Sequence, residues 1–195
     1  CRNIGYAPES GSERVLALIK KKVKLSRMTK SIKSSLKSGL NVRLNIMIGF
    51  PDETHKDIFD TIWYLIKMSF AGSHDVSIGV FAPYPGSELY KDLVKKGVIT
   101  HDEKYWQELA YVDISFAKSF CNNISTKMLF FYNWLGIFLF YGSNYLFRPI
   151  RLYKTIKNII TNKHESRGEM ALAQMIKRFY FVFKSSKKDK LQRQN

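Results

Sequence analysis

Cysteine is scarce in this sequence: Cys1 and Cys121 are the two among 195 residues. They stand too far apart for a CxxC site and are too few for a disulfide framework, so a reducing compartment is the expected setting. Histidine is almost as rare. His55, His74, His101 and His164 are scattered and read as surface or loop positions. No local grouping of Ser, His, Cys or carboxylates marks a catalytic or metal-ligating set, so neither role is assigned to any residue here. Acidic residues are half as numerous as basic ones, 16 against 32, for a net charge of +16. No basic start followed by an apolar run opens the chain, as a secretory leader would require. It also lacks an initial methionine, and residue 1 is expected not to be the biological start.

What is present is the composition of a folded protein. Hydrophobic residues make up 45% of the chain, enough to bury a core. The basic excess is concentrated late: from Arg148 onward 13 Lys and Arg face 3 acids. Such a tail fits a solvated flank, a nucleic acid or a membrane surface. Nucleic acid is the weakest of these, because the bases alternate with aliphatics at helical spacing and form no reader motif.

The first hundred residues alternate strand and helix. Residues 3–9 read as a short strand, closed by Pro8-Glu9-Ser10-Gly11-Ser12, with Ser12 capping a helix that carries Val15, Leu16 and Ile19. Met28, Ile32 and Leu36 mark a second helix that ends at Gly39. Val42, Leu44, Ile46 and Ile48 give a strand of period two. Thr54 and Asp57 form a capping-box-like pair ahead of Ile58, Ile62 and Ile66. A third strand, DVSIGV, runs into the turn APYPGS. Strands separated by helical crossovers predict parallel β/α units.

The other face of each predicted strand is small or polar: Gly5, Ala7 and Glu9, then Asn45, Met47 and Gly49, then Ser77, Gly79 and Phe81. A closed β/α barrel fills its interior with bulky branched side chains. Small residues there leave room for a ligand, or else relieve crowding and mark bulges. The polar groups gather where strands end, which is where β/α folds place their sites.

Three segments, GYAPESGSERVL, LNIMIGFPDET and VFAPYPGSELY, resemble in order and spacing strands four to six of the radical S-adenosylmethionine (SAM) enzymes. The likeness is greatest to members with an upstream cobalamin (B12)-binding domain, such as the anaerobic magnesium-protoporphyrin ester cyclase group. It implies an α/β fold in which residues 1–100 are the C-terminal half of a partial (β/α) barrel. Residues 101–195 then form a helical, aromatic and basic extension. It further implies that the missing N-terminal part of the same polypeptide completes the enzyme.

By position, Glu9 and Ser10, with Ser12 and Arg14 beside them, would hold the ribose and amino-acid portion of SAM. A carboxylate accepts from ribose hydroxyls, and an arginine pairs with a carboxylate. The alternative for Glu9 is a capping or ion-pair carboxylate, and for Arg14 an exposed helix arginine. The family's fifth strand carries GxIxGxxE beside the adenine; here the positions read Asn45, Met47, Gly49 and Asp52, and only the second glycine matches. Met47 would supply a soft apolar contact, and Gly49 a close backbone approach. Tyr84 and Pro85 would close the turn over the adenine, or simply form a turn.

The family's CxxxCxxC motif, whose thiolates bind the 4Fe-4S cluster, is absent here. The cluster, and any cobalamin, are expected to be held outside this chain, which alone is expected to be inactive.

The segment Met128–Phe147 is uncharged, yet Asn133, Gly136, Gly142, Ser143 and Asn144 interrupt it. Aromatics throughout it favour a membrane interface over a span. Ile150, Tyr153, Ile156 and Ile160 then recur beside Arg151, Lys154 and Lys157, and MIKRFYFVFKSSKKDK repeats the combination. Interfacial attachment, a buried helical cap and a transmembrane span are the competing readings. The expected location is cytoplasmic, peripheral on the cytoplasmic membrane face. A small hydrophobic substrate (lipid, isoprenoid or porphyrin) suits the enzyme reading. The other reading is a non-catalytic membrane or scaffold module built on a half-barrel.

Overall fold

In a computed structural model the chain is described at residues 1–100, 103–109, 118–163, 165–166, 168–170, 172–174 and 176. The expectations for His101, His164 and the MIKRFYFVFKSSKKDK segment lie wholly or largely outside these residues. The elements run β1 (Asn3–Glu9), α1 (Glu13–Leu18), α2 (Leu25–Lys37), β2 (Asn41–Ile48) and α3 (His55–Ala71). They continue with β3 (Asp75–Val80), α4 (Glu88–Lys95), α5 (Glu103–Glu108), α6 (Thr126–Phe147) and α7 (Pro149–Ile160).

Local chemistry sets these boundaries. The Ser12 hydroxyl accepts from the Val15 amide at the start of α1. Thr54 and Asp57 complete a reciprocal capping box at the start of α3. That helix stops at Gly72, whose φ of 108° is a conformation most side chains avoid. Ser87 caps α4 by accepting from the Tyr90 amide.

The three strands form a parallel sheet in the order β1-β2-β3. On β2, Val42, Leu44, Ile46 and Ile48 are buried, while Arg43, Asn45 and Met47 between them are half-buried. The branched side chains meet a helical layer that includes Leu16, Ile32, Ile58, Leu65, Leu129 and Phe140. The alternation therefore has a physical cause: the sheet has one packed face and one open face.

The β1–α1 turn approaches α3 too closely for any side chain at Gly11. A Cβ there would lie 2.6 Å from both Thr61 Cα and Tyr64 Cβ, and 2.9 Å from the Asp60 carbonyl oxygen. Gly11→Ala is expected to lower stability by about 2 kcal/mol or more, because helix backbone cannot move aside. A urea midpoint that falls with unchanged slope checks this.

Helix α6 belongs with the sheet. The compact units are Cys1–Phe147 and Arg148–Asn195. Leu129, Tyr132, Asn133, Gly136, Phe140 and Asn144 are buried. Asn133 donates to the Ile78 carbonyl at 2.7 Å and Asn144 to the Ser73 carbonyl at 2.7 Å. Ser69 of α3 donates to the Phe140 carbonyl at 2.9 Å, and the Tyr141 hydroxyl donates to Asp75. Gly136 admits Ile78, whose Cδ1 would sit 2.7 Å from a Cβ. Asn133, Gly136 and Asn144 are thus on the face of α6 that packs on the sheet and α3, while Gly142 faces open space. Among the described residues, no helix is long and apolar enough to cross a membrane.

Candidate functional site

Because the strands are parallel, their carboxyl ends and following loops lie at one end of the sheet. The open face there is thinly covered. Gly5 is exposed, and Ala7, Asn45, Met47, Ser77 and Gly79 are half-buried. A Cβ on Gly5 would meet only Asn45 Nδ2, at 3.5 Å, and one on Gly79 only the Ile46 carbonyl oxygen, at 3.9 Å. Neither glycine relieves crowding. The face has room beside both glycines and offers the Asn45 amide, the Met47 thioether and the Ser77 hydroxyl.

Glu9 departs from the expected alternation. Tyr6 pairs with Leu44 but Glu9 with Ile46, so β1 carries one extra residue between them. Pro8, which has no amide hydrogen, lies within this bulge. Glu9 adopts φ 68°, outside the usual range for its residue type, and its carboxylate takes an ion pair from Lys21 at 2.8 Å. Strained backbone at a strand end is a feature that functional sites share.

Ser10, Ser12 and Arg14 are drawn to α3. The Ser10 and Thr61 hydroxyls lie 3.0 Å apart, and the Gly11 amide donates to Thr61 Oγ1 at 3.0 Å. Ser12 donates to Asp57 Oδ1 at 2.7 Å. Arg14 reaches the same carboxylate through Nε at 3.1 Å and through Nη2, which also donates to the Asp52 carbonyl at 2.9 Å. Burial works to raise the Asp57 carboxyl. Arg14 and the hydroxyls of Thr54 and Ser12 outweigh it and hold the group well below the usual carboxylate range.

The turn after β2 sends Asp52 outward and Glu53 inward. Asp52 is exposed and accepts from Asn122 Nδ2 at 3.2 Å. Glu53 is fully buried; its Oε2 accepts from the Gly49 and Phe50 amides, while Oε1 has no partner among the described residues. Burial is the leading reason its carboxyl is raised to about 7, against the two amides that favour the anion. Sequence reasoning misses this residue, because the family pattern places Asp52 at the acidic position. Two adjacent acids follow Gly49, and only the path of the turn decides which one returns. Gly49 itself has φ 89°, and Leu129 of α6 fills the space beside it, with Cδ1 2.7 Å from where a Cβ would stand.

Past the strand ends, Met47 packs with Phe50, Phe81, Ala82, Leu93 and Tyr105 in a second apolar cluster. Tyr84 is exposed with its hydroxyl donating to the Leu109 carbonyl at 3.2 Å, and Pro85 is exposed. The named positions therefore divide. Asn45 and Met47 share the open face, Glu9 sits at its edge, Ser10, Ser12 and Arg14 brace the turn against α3, and Tyr84 and Pro85 lie on the loop after β3. His55 Nδ1 lies 2.8 Å from the Tyr132 hydroxyl, and His74 Nδ1 accepts from the Val42 amide at 3.2 Å.

The residues present do not fit a 4Fe-4S cluster. Three thiolates are required, and the chain has two cysteines. Cys121 donates to the Glu53 carbonyl at 3.2 Å, and burial raises its thiol. Among the described residues, no group of three or more His, Cys, Asp or Glu is placed to hold a metal.

Against known protein families the chain matches no family description. It is similar to an uncharacterized methyltransferase of Pyrococcus horikoshii, 27% identical over 133 residues. The match covers 66% of this chain and 27% of that protein, so the chain spans well under two thirds of its relative's length.

Proposed function

We propose that this chain supplies the ribose and adenine side of a SAM pocket in a longer radical SAM enzyme. In this reading its three β/α units form the rear half of a partial barrel. The observation that carries the reading is the open inner face around Gly5, Asn45, Met47 and Gly79 at the carboxyl end of a parallel sheet. Likeness to a methyltransferase supports SAM as the small molecule. Glu9 is the acceptor for ribose hydroxyls, Met47 the apolar contact for adenine, and Asn45 a donor and acceptor between them. Ser10, Ser12 and Arg14 act as positioning residues: held by Thr61 and Asp57, they fix the turn from which Glu9 projects. SAM would bring the methionine carboxylate, the ribose and the adenine, and these residues bind and orient it. Cluster and cobalamin belong to other parts of the polypeptide, and no residue here is assigned to either.

A specific observation favours a second reading, a scaffold built on a half-barrel. Every polar side chain of the β1–α1 turn already has a partner within the fold.

Sequencing the coding region upstream of the Cys1 codon separates the two. An in-frame extension encoding CxxxCxxC supports the enzyme, and a start codon immediately upstream overturns it. In the extended polypeptide, Glu9→Gln is expected to weaken SAM binding about tenfold, the loss of one charge-assisted hydrogen bond. Met47→Lys is expected to abolish it in calorimetry. Binding unchanged in both variants would overturn this placement of the pocket.

A further inference from the structure

The outward side of the α3–α6 layer carries large apolar side chains as well as charged ones. Helix α6 turns Asn133, Gly136 and Asn144 inward and leaves Phe131, Trp134 and Phe138 at 55%, 60% and 72% exposure. Beside it, α3 exposes Phe59 at 54% and Trp63 at 56%. The two helices run side by side in the same direction: the ring of Phe59 lies 5.6 Å from that of Tyr132, and the ring of Phe70 lies 4.7 Å from that of Phe147. Tyr132 joins the ring of Phe59 to that of Phe131, 5.7 Å away, and Trp63, Trp134 and Phe138 are exposed on the same two helices. Surfaces of this kind mark a partner.

The charges around that surface identify the partner's chemistry. Lys56, Lys67 and Lys127 are exposed on the same two helices, and Asp60 is the acid on the exposed side of α3. Lys67 Nζ stands 5.5 Å from the centre of the Trp63 ring, its stem laid along the aromatic surface. Between Met128 and Phe147 there is no charged residue. A second copy docked by the same face would oppose lysine to lysine. Tryptophan and phenylalanine flanked by lysine match instead an anionic lipid interface, where rings sit at headgroup depth and ammonium groups meet phosphates.

We infer that the outer face of α3 and α6, with Phe59, Trp63, Phe131, Trp134 and Phe138 at its centre, is a docking surface for an anionic membrane, and that the helices lie in its plane. This reaches beyond the proposed SAM pocket and does not depend on it.

The test uses the full chain with vesicles of equimolar phosphatidylcholine and phosphatidylglycerol, and with phosphatidylcholine alone. Flotation with the anionic vesicles is expected. In a Trp106→Phe background the remaining tryptophans, Trp63 and Trp134, are expected to be quenched by lipids brominated near the headgroup end of the acyl chain. Combined Trp63→Ser, Trp134→Ser and Phe138→Ser should lower partitioning about tenfold or more through lost apolar burial. Combined Lys56→Glu, Lys67→Glu and Lys127→Glu should lower it about a hundredfold on anionic vesicles. Val98→Ser, an exposed apolar position elsewhere, should change nothing, and circular dichroism should be native for all. Flotation that persists undiminished in the triple serine variant would assign binding to the basic helix α7 and overturn the inference. So would unquenched tryptophans, or a dimer in light scattering that the serine variant abolishes. SAM binding by the serine variant is expected to be unchanged, which separates failure here from failure of the pocket.

Discussion

Asp57→Ala is expected to destabilise the Cys1–Phe147 unit by about 3 kcal/mol or more, since one carboxylate at the start of α3 ties three pieces of chain together. It accepts from the Ser12 hydroxyl, from Arg14 and from the Thr54 amide and hydroxyl. It is buried. Removing it breaks the capping box, unties the β1–α1 turn from α3 and leaves the buried Ser12 hydroxyl and the half-buried Thr54 hydroxyl without this acceptor. Asp57→Asn keeps the shape and one acceptor oxygen, so a smaller loss is expected. Arg14→Ala should cost less again, because that side chain is half-exposed and its charge is screened. The sign of the pH effect follows from the direction of the shift. Asp57 is held below its ordinary value in the folded state, so its contribution is present above the unfolded carboxylate range and is lost as pH falls below it. Urea melts of wild type and variants between pH 3 and 7 check both statements. Equal midpoints for wild type and Asp57→Ala at neutral pH would remove the residue from its place as the joint.

Glu53→Gln is expected to do the reverse and stabilise the protein at high pH. The Glu53 carboxyl is raised from 4.5 to about 7, so folding favours its protonated form. That advantage is complete below the unfolded value and disappears as pH rises through about 7, where a buried charge must be carried. Glutamine keeps an oxygen for the Gly49 and Phe50 amides and never ionises. At pH 8 the variant should be more stable by about 3 kcal/mol, falling toward zero near pH 5. Thermal melts across this range would show a sloping wild-type profile and a flat one for the variant. Parallel profiles would mean that Glu53 does not titrate where its burial places it. The two residues also interact, because the Asp57 charge helps raise Glu53. Removing that charge should move the Glu53 midpoint to lower pH, and the double variant should not be additive.

Much of the fold is legible in the sequence for local reasons. Ser12, Thr54, Asp57 and Ser87 announce helix starts because a side-chain oxygen satisfies a nearby amide within a few residues. Val42, Leu44, Ile46 and Ile48 announce β2 because one face of a strand is buried and the other is not. The small residues of the open face can be read in the same way. The site is less legible. Alternation alone would have Glu9 follow Gly5 and Ala7, but the extra residue in β1 breaks that count. Glu53 and Asp52 are neighbours of the same chemistry, and the backbone path, not the residue type, separates them. Gly49 suggests room for a ligand, yet its space is taken by Leu129, eighty positions further along the chain.

Helix α6 shows where the division falls. Its sequence alone gives a long aromatic stretch, uncharged from Met128 to Phe147 and interrupted by asparagine, glycine and serine. Whether those interruptions face lipid, water or protein depends on which carbonyls come within hydrogen-bond reach. The Ile78 and Ser73 carbonyls that receive Asn133 and Asn144 are 55 and 71 residues distant in sequence. Sequence determines what depends on neighbours a few residues away: caps, periodicities, charge and the order of strands and helices. The tertiary structure decides the partners of Asp57 and Glu53, the bulge at Glu9 and the two sides of α6. Each of these depends on desolvation and contact between segments that the chain brings together only when it folds.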